Sequence, residues 1–352
     1  MTHGPTIAGS QFPEVLLHRL NSHIEENRLA GTDSWKMTLK LVLACLWFGG
    51  TYLLTYLSPV SPVVFVLLYV LHGTAHMFMT FNIAHEANHN TLTGKPLLNR
   101  ILSYTFDLCG VNSYMWRILH HRGHHFCMNV HGEDEAIMYP LFRLSPHAPR
   151  KWIHRYQYLY GPVFYGFMTL DYVIAKDLKY FFFSKYPTAR NVRHPWEEYV
   201  ILFLGKAFYF TYMLVLPIVI LKASPLLVIT AFVVMHYVLG LTMSWIFVIS
   251  HVVDINQFPK ANRDYNHFAY HILATTADYR VDNALANFFL GGFNQHVIHH
   301  FVPHVSHVHL SDLTRILKRT SEEFNVEYKA NKTMLQGWVQ HVRHLKKLGA
   351  SD

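Results

Sequence analysis

Twenty-seven of the 352 residues are histidine, and they are clustered rather than scattered. Neutral imidazole offers a good nitrogen donor near neutral pH and is the commonest metal ligand in proteins. In His85-Glu86-Ala87-Asn88-His89, the i, i+4 spacing places both rings on one face of a helix. His121-Arg122-Gly123-His124-His125 and His296-Val297-Ile298-His299-His300 both carry i, i+3, i+4 spacing, so on an α-helix each aims three imidazoles at one point. His251 closes the last long apolar run and brings the candidate metal ligands to nine. A lone histidine inside an apolar run calls for a plainer reading. His72, His76 and His236 are taken as hydrogen-bonded core residues.

Ligand type and number narrow the metal. Nine histidines are too many for one zinc, which takes three or four protein ligands, and the cysteine ligands of common structural zinc sites are missing. Imidazole also suits iron, and two irons with four or five imidazoles each would use the whole set. Soluble di-iron proteins use Glu and Glu-x-x-His motifs instead. Here Glu86, Glu133, Asp134, Glu135 and Asp254 lie beside the histidines and are expected to orient rings and set tautomers rather than bind metal.

The elements that must position these rings are apolar helices. Hydrophobic residues make up 51% of the chain and charged residues 15%, well under the ~25% of soluble domains. Four segments have about the 20 apolar residues that a bilayer crossing needs, at 37–57, 63–84, 199–221 and 226–250. They pair into two hairpins with short outer loops at 58–62 and 222–225. The expectation is an all-α integral membrane protein, one domain over 1–352, with a cytosolic lead-in over 1–36 that carries an amphipathic helix near 14–27. The stretches 101–119 and 158–183 are read as interfacial helices. In the second, Asp171, Lys176, Asp177 and Lys179 oppose a crossing, and a fifth span would also put the histidine clusters on opposite sides. With four spans, nearly all Lys and Arg share one side with the clusters, which the positive-inside rule assigns to the cytosol.

A net charge of +8 in so apolar a chain points to anionic headgroups or an acidic acyl carrier and away from nucleic acid. Cys45, Cys109 and Cys127 form no disulfide framework and fit a reducing cytosolic face. The first apolar run begins too far in for a cleaved leader.

The three histidine boxes resemble those of membrane fatty acid desaturases and related hydroxylases. The stretch 116–129, with His121, His124, His125 and Asn129, is similar to that family's second box. Gly291-Gly292-Phe293-Asn294 through His299-His300, then Pro303 and His304, looks like the third box of the linoleoyl-CoA and front-end branch. Tyr165-Gly166, Thr169-Leu170-Asp171 and Lys176-Asp177 also resemble that branch, and the likeness runs from about residue 37 to 309. It implies a non-haem di-iron centre that uses O₂ to remove two hydrogens from an acyl chain. The ligands it implies are His85, His89, His121, His124, His125, His251, His296, His299 and His300. The acyl carrier it implies is CoA, an acyl carrier protein or a lipid, and the electron donor a separate ferredoxin or cytochrome b5-type protein, since no His-Pro-Gly-Gly signature of a fused cytochrome b5 is present. Two positions depart from the pattern. His296 stands where front-end desaturases typically have Gln, and Phe247 where related structures place an Asn that reaches the metal through water. An acyl or alkyl hydroxylase or an acetylenase would share the same metal centre, since outcome depends on fine placement of the substrate C–H. A metal transporter would need polar residues through the spans, and these carry little beyond His72, His76, Lys206 and His236.

Overall fold

The computed structural model describes residues 11–30, 34–57, 61–183, 189–190, 192–260 and 268–350. We label the principal helices α1 (Phe12–Glu26), α2 (Trp35–Leu57), α3 (Pro62–Asn88), α4 (Trp196–Ile220), α5 (Pro225–His251), α6 (His296–Phe301), α7 (Leu310–Glu323) and α8 (Met334–Ala350). Among the described residues, α2 to α5 are long and apolar enough to cross a membrane, and they fall on the four runs expected from sequence. Ser61 starts α3 by accepting a hydrogen bond from the Val64 N–H, with Pro62 in the first turn, where its missing N–H costs nothing. Most of the first hairpin turn, residues 58–60, lies outside the described residues.

The bundle has an inside and an outside. Half of the α3 window is buried against 22% for α2 and for α4, so α3 is central, packed on both α2 and α5. Leu46, Leu53, Leu67, Leu204 and Ile229 point outward and are exposed, as lipid-facing side chains should be. The charge inside the α4 span is paired. Lys206 Nζ donates to Asp177 Oδ2 at 2.7 Å and to the carbonyls of Gly110 and Tyr172.

Length explains where the chemistry sits. α3 and α5 each have 27 residues, about 40 Å at 1.5 Å per residue, against a hydrocarbon core of about 30 Å. Each is therefore longer than the apolar layer by about 10 Å, and their C-terminal turns meet at one end of the bundle. Those turns carry His85, His89 and His251.

The stretch 158–183 forms no continuous helix. It is a string of short pieces, with Pro162 inside the first (Gln157–Phe164) and a π turn at Tyr172–Lys176. It crosses α5 where two glycines meet. A Cβ on Gly240 would stand 2.5 Å from the Gly166 carbonyl oxygen, so only glycine permits this approach. Leu159, Val163, Phe164 and Phe167 leave an exposed apolar edge suited to a membrane interface.

The lead-in helix is a packed part of the cap. Phe12, Leu16, Leu20 and Ile24 recur on one face of α1 and bury against Leu313 and Leu317 of α7. Two short parallel strands, β1 (Asp278–Tyr279) and β2 (Ala330–Asn331), tie the segment before α6 to the segment before α8.

Candidate metal centre

The end of α3 is not regular. A π turn at Thr80–Ala84 precedes His85 and rotates the last turn relative to the rest of the span. Single π turns inside α-helices are rare and recur at functional sites. The second histidine box is wound the same way over Ile118–His124, and the His125 N–H donates to the His120 carbonyl at 3.0 Å, an i to i+5 bond. That winding changes which rings share a face. His120 and His125 now stand one turn apart, with Nε2 atoms 3.0 Å from each other. The α-helical spacing that favours His121 does not apply here. The third box lies on α6, reached through Gly291 and Gly292, both at positive φ, where a Cβ on Gly291 would meet the Phe81 carbonyl oxygen at 2.5 Å.

Two groups of four imidazoles result. His85, His89, His120 and His299 bring one nitrogen each within 4.8 Å of one another, and so do His124, His251, His296 and His300. Seven of the nine histidines expected from sequence are in these groups; His121 and His125 are not, and His120, which the sequence reading missed, is. His125 lies between the groups, its ring 5.0 Å from His299 and 4.6 Å from His300. His121 flanks the first, its ring 4.4 Å from His89.

The donor set fits metal ions. Ring nitrogens face each other at 3.2 Å (His120 and His89) and 3.1 Å (His124 and His251), about the spacing expected when two imidazoles share one ion at about 2.1 Å. His85 Nε2 and His299 Nε2 are buried without a hydrogen-bond partner. Such orphans are costly unless something binds them. Burial, and then the neighbouring imidazoles, holds His120, His125, His296 and His300 well below the usual histidine range. They are neutral, the form that binds metal.

Of the five neighbouring carboxylates, two meet ring nitrogens. Asp134 stands 3.3 Å from His124 Nδ1, which leaves His124 Nε2 facing the site. Burial pushes the Asp134 carboxyl up, but His124 and the Asn129 N–H more than offset this and bring it below its ordinary range. Glu86 stands 3.7 Å from His85 Nδ1. The other three do different work: Glu135 pairs with Lys176 at 3.0 Å, Glu133 accepts from Cys127 Sγ, and Asp254 is exposed. The Thr275 carbonyl faces His251 Nδ1 at 3.3 Å, while Asn129 donates to the His251 and Thr275 carbonyls and locks the end of α5.

The core histidines behave as read. His72 Nδ1 bonds Thr51 at 2.9 Å, His76 Nε2 lies 3.1 Å from His72 Nε2, and His236 Nε2 bonds the Tyr209 hydroxyl at 2.6 Å. None belongs to either metal group.

A cavity of about 790 Å³ opens on the histidines, lined by His85, His120, His124, His251 and His296, and by Cys109, Val173, Leu239 and Met243. It also touches His236, fifteen residues before His251 on α5, so it reaches roughly 20 Å along the span. Phe247 is part of its wall, packed against Phe81 and Phe293. It is a deep apolar slot with a metal-binding end, suited to a long hydrocarbon chain.

The family model for fatty acid desaturases matches residues 60–332. The chain belongs to the fatty acid desaturase family. The desaturase is 29% identical over 353 residues to an sn-1 linoleoyl-lipid 6-desaturase of Synechocystis sp., covering 97% of this chain and 96% of the relative. It is 28% identical to a protein of the same name from Arthrospira platensis, over 99% of this chain and 94% of the relative. It is 30% identical to acyl-lipid (8-3)-desaturase B of Dictyostelium discoideum, over 99% of this chain and 77% of the relative. This desaturase is thus a membrane oxidoreductase that acts on fatty acyl chains and uses iron and O₂.

Proposed function

We propose that this desaturase binds two iron ions and inserts a double bond into the acyl chain of a membrane glycerolipid. The observation that carries this reading is the pair of four-nitrogen groups opening on one apolar cavity. The first ion would be held by His85, His89, His120 and His299 and the second by His124, His251, His296 and His300, with His125 between the two groups. Iron with O₂ supplies the oxidant that an unactivated C–H bond requires and no side chain can provide.

The chain's own residues do the rest. The walls made by Val173, Leu239, Met243 and Phe247 hold the acyl chain extended and keep water from the reacting carbons. Asp134 and the Thr275 carbonyl fix His124 and His251 with their Nε2 atoms inward. A lipid carrier is supported by the acyl-lipid names of the relatives. Electrons come from a separate ferredoxin or cytochrome b5-type protein, and the histidine end faces the cytosol, where the positive-inside rule puts the Lys- and Arg-rich segments.

Expression in a host of known lipid profile tests the activity. New unsaturated acyl chains should appear in intact glycerolipids, and turnover in isolated membranes should be insensitive to salt. Products confined to acyl-CoA, or hydroxylated chains in their place, would overturn the reading. Cysteine labelling at positions 95, 150 and 318 should report one common side.

A further inference from the structure

The two metal positions are backed by different charges. Behind the first group runs a buried string that begins in the first span. Lys40 Nζ contacts Asn82 Oδ1 at 2.6 Å, the Phe288 carbonyl at 2.7 Å and His307 Nε2 at 2.7 Å. As an ammonium ion Lys40 has one N–H for each of these three partners, with His307 Nε2 accepting. The His307 proton then sits on Nδ1, which faces Glu86 Oε1 at 3.2 Å. Glu86 Oε2 accepts from the Thr91 hydroxyl and the His307 N–H, and Oε1 stands 3.7 Å from His85 Nδ1. The string is therefore cation, imidazole, carboxylate, ligand. The Glu86 charge is balanced by Lys40.

Behind the second group there is no such cation. Asp134, fully buried, meets His124 and the N–H groups of Asn129 and Ala136, and among the described residues no lysine or arginine pairs with it. Its partners there are an imidazole and two backbone N–H groups, with no permanent cation.

We infer that the two metal positions are electrostatically unequal, the Asp134 position holding its ion more firmly, and that Lys40 sets the difference by neutralising Glu86. This rests on the two-iron reading above. A buried carboxylate without a cation gains most from a divalent ion next to the imidazole it touches, whereas one already balanced gains less. Lys40 contacts no member of either group and acts through His307 and Glu86 as a positioning residue.

The experiment is iron release from the fully loaded protein in detergent, followed with an excess of ferrous chelator and by Mössbauer spectroscopy. Wild type should release its two ions in two phases and show two unequal quadrupole doublets. Removing the cation with Lys40→Met should slow the faster phase by about 10-fold, the lower end of what partners of metal ligands contribute, and shift one doublet only. Lys40→Arg, which keeps the charge, should behave as wild type. Asp134→Asn should bring the phases together from the other side, by speeding the slow one; it keeps the inference testable if Lys40→Met does not fold. Equal release of both ions in wild type would overturn the inference, and so would faster release in Lys40→Met, which is what a merely structural anchor predicts. A loaded protein that carries fewer than two irons would instead sink the two-iron reading.

Discussion

Replacing His120 and His121 separately by alanine distinguishes the site in the structure from the one that helical spacing suggests. The two are sequence neighbours, equally polar and close to the same cluster. In the structure His120 brings a nitrogen into the first group, 3.2 Å from His89 Nε2, while His121 stays outside it. Four-ligand zinc sites in small peptides bind with roughly 10–16 kcal/mol, so a quarter share is about 3–4 kcal/mol per ligand. His120→Ala should therefore weaken the first ion by two to three powers of ten, roughly, at 1.4 kcal/mol per decade. His121→Ala removes a ring that packs beside His89, and should cost about tenfold at most, the low end for a neighbour of a ligand. The assay is iron per chain after equilibration with a chelator of fixed strength, alongside conversion of acyl chains in membranes. His120→Ala should keep one iron and lose turnover; His121→Ala should keep both. A result in the opposite order would show that the second box is wound as a plain α-helix in the working enzyme, and the ligand set would revert to His121.

Three further outcomes follow from particular contacts. Asp134→Asn should lower iron affinity about 10- to 100-fold while the protein stays folded, because the amide cannot hold His124 as a carboxylate does; chelator titration reads this out, and unchanged affinity would remove Asp134 from the site. Gly240→Ala places a methyl 2.5 Å from the Gly166 carbonyl and should cost about 1–3 kcal/mol as over-packing, seen as a lower melting temperature in detergent; an unchanged midpoint would mean that the crossing can slide. Asp278 accepts from the Val297 N–H at 2.7 Å and the Tyr328 hydroxyl at 2.5 Å, and burial pushes its carboxyl up to about 7 despite these bonds. Because the folded pKa lies above the unfolded one, the protonated form favours the fold, and stability is lost as pH rises from about 4 through 7; Asp278→Asn should flatten that part of the melting-temperature profile, and a wild-type slope in the variant would refute the assignment.

The architecture was legible because the bilayer allows few solutions. Runs of about 20 apolar residues have to be helices there, and α2 to α5 appear where those runs are. The charges in 171–179 were read as too costly for a fifth crossing, and the chain there is broken into short pieces across α5. Less legible was the partner of the lead-in helix. Its apolar stripe at Phe12, Leu16, Leu20 and Ile24 could be read off, but not that the stripe would find α7 some 300 residues later.

The histidines expected from spacing and those the fold groups together differ in the second box, where His120 stands in a group and His121 and His125 do not, for a local reason. Spacing arguments assume 3.6 residues per turn, and over Ile118–His124 the turn is wider. No residue type announces a π turn, so His121, the i and i+3 partner of His124, looked like the ligand and His120 did not. The same limit hid the string behind His85. Lys40 and His307 are 267 positions apart, and neither lies within helical reach of a histidine box. What gave the site away regardless was redundancy. α3 and α5 are each about 10 Å longer than a hydrocarbon core and end on the same cavity, so whichever neighbouring histidine the winding selects still faces the other boxes. The sequence thus carries the position of the metal centre through helix length and polarity, which are insensitive to a single residue, whereas the identity of each ligand depends on a local turn that only the folded chain decides.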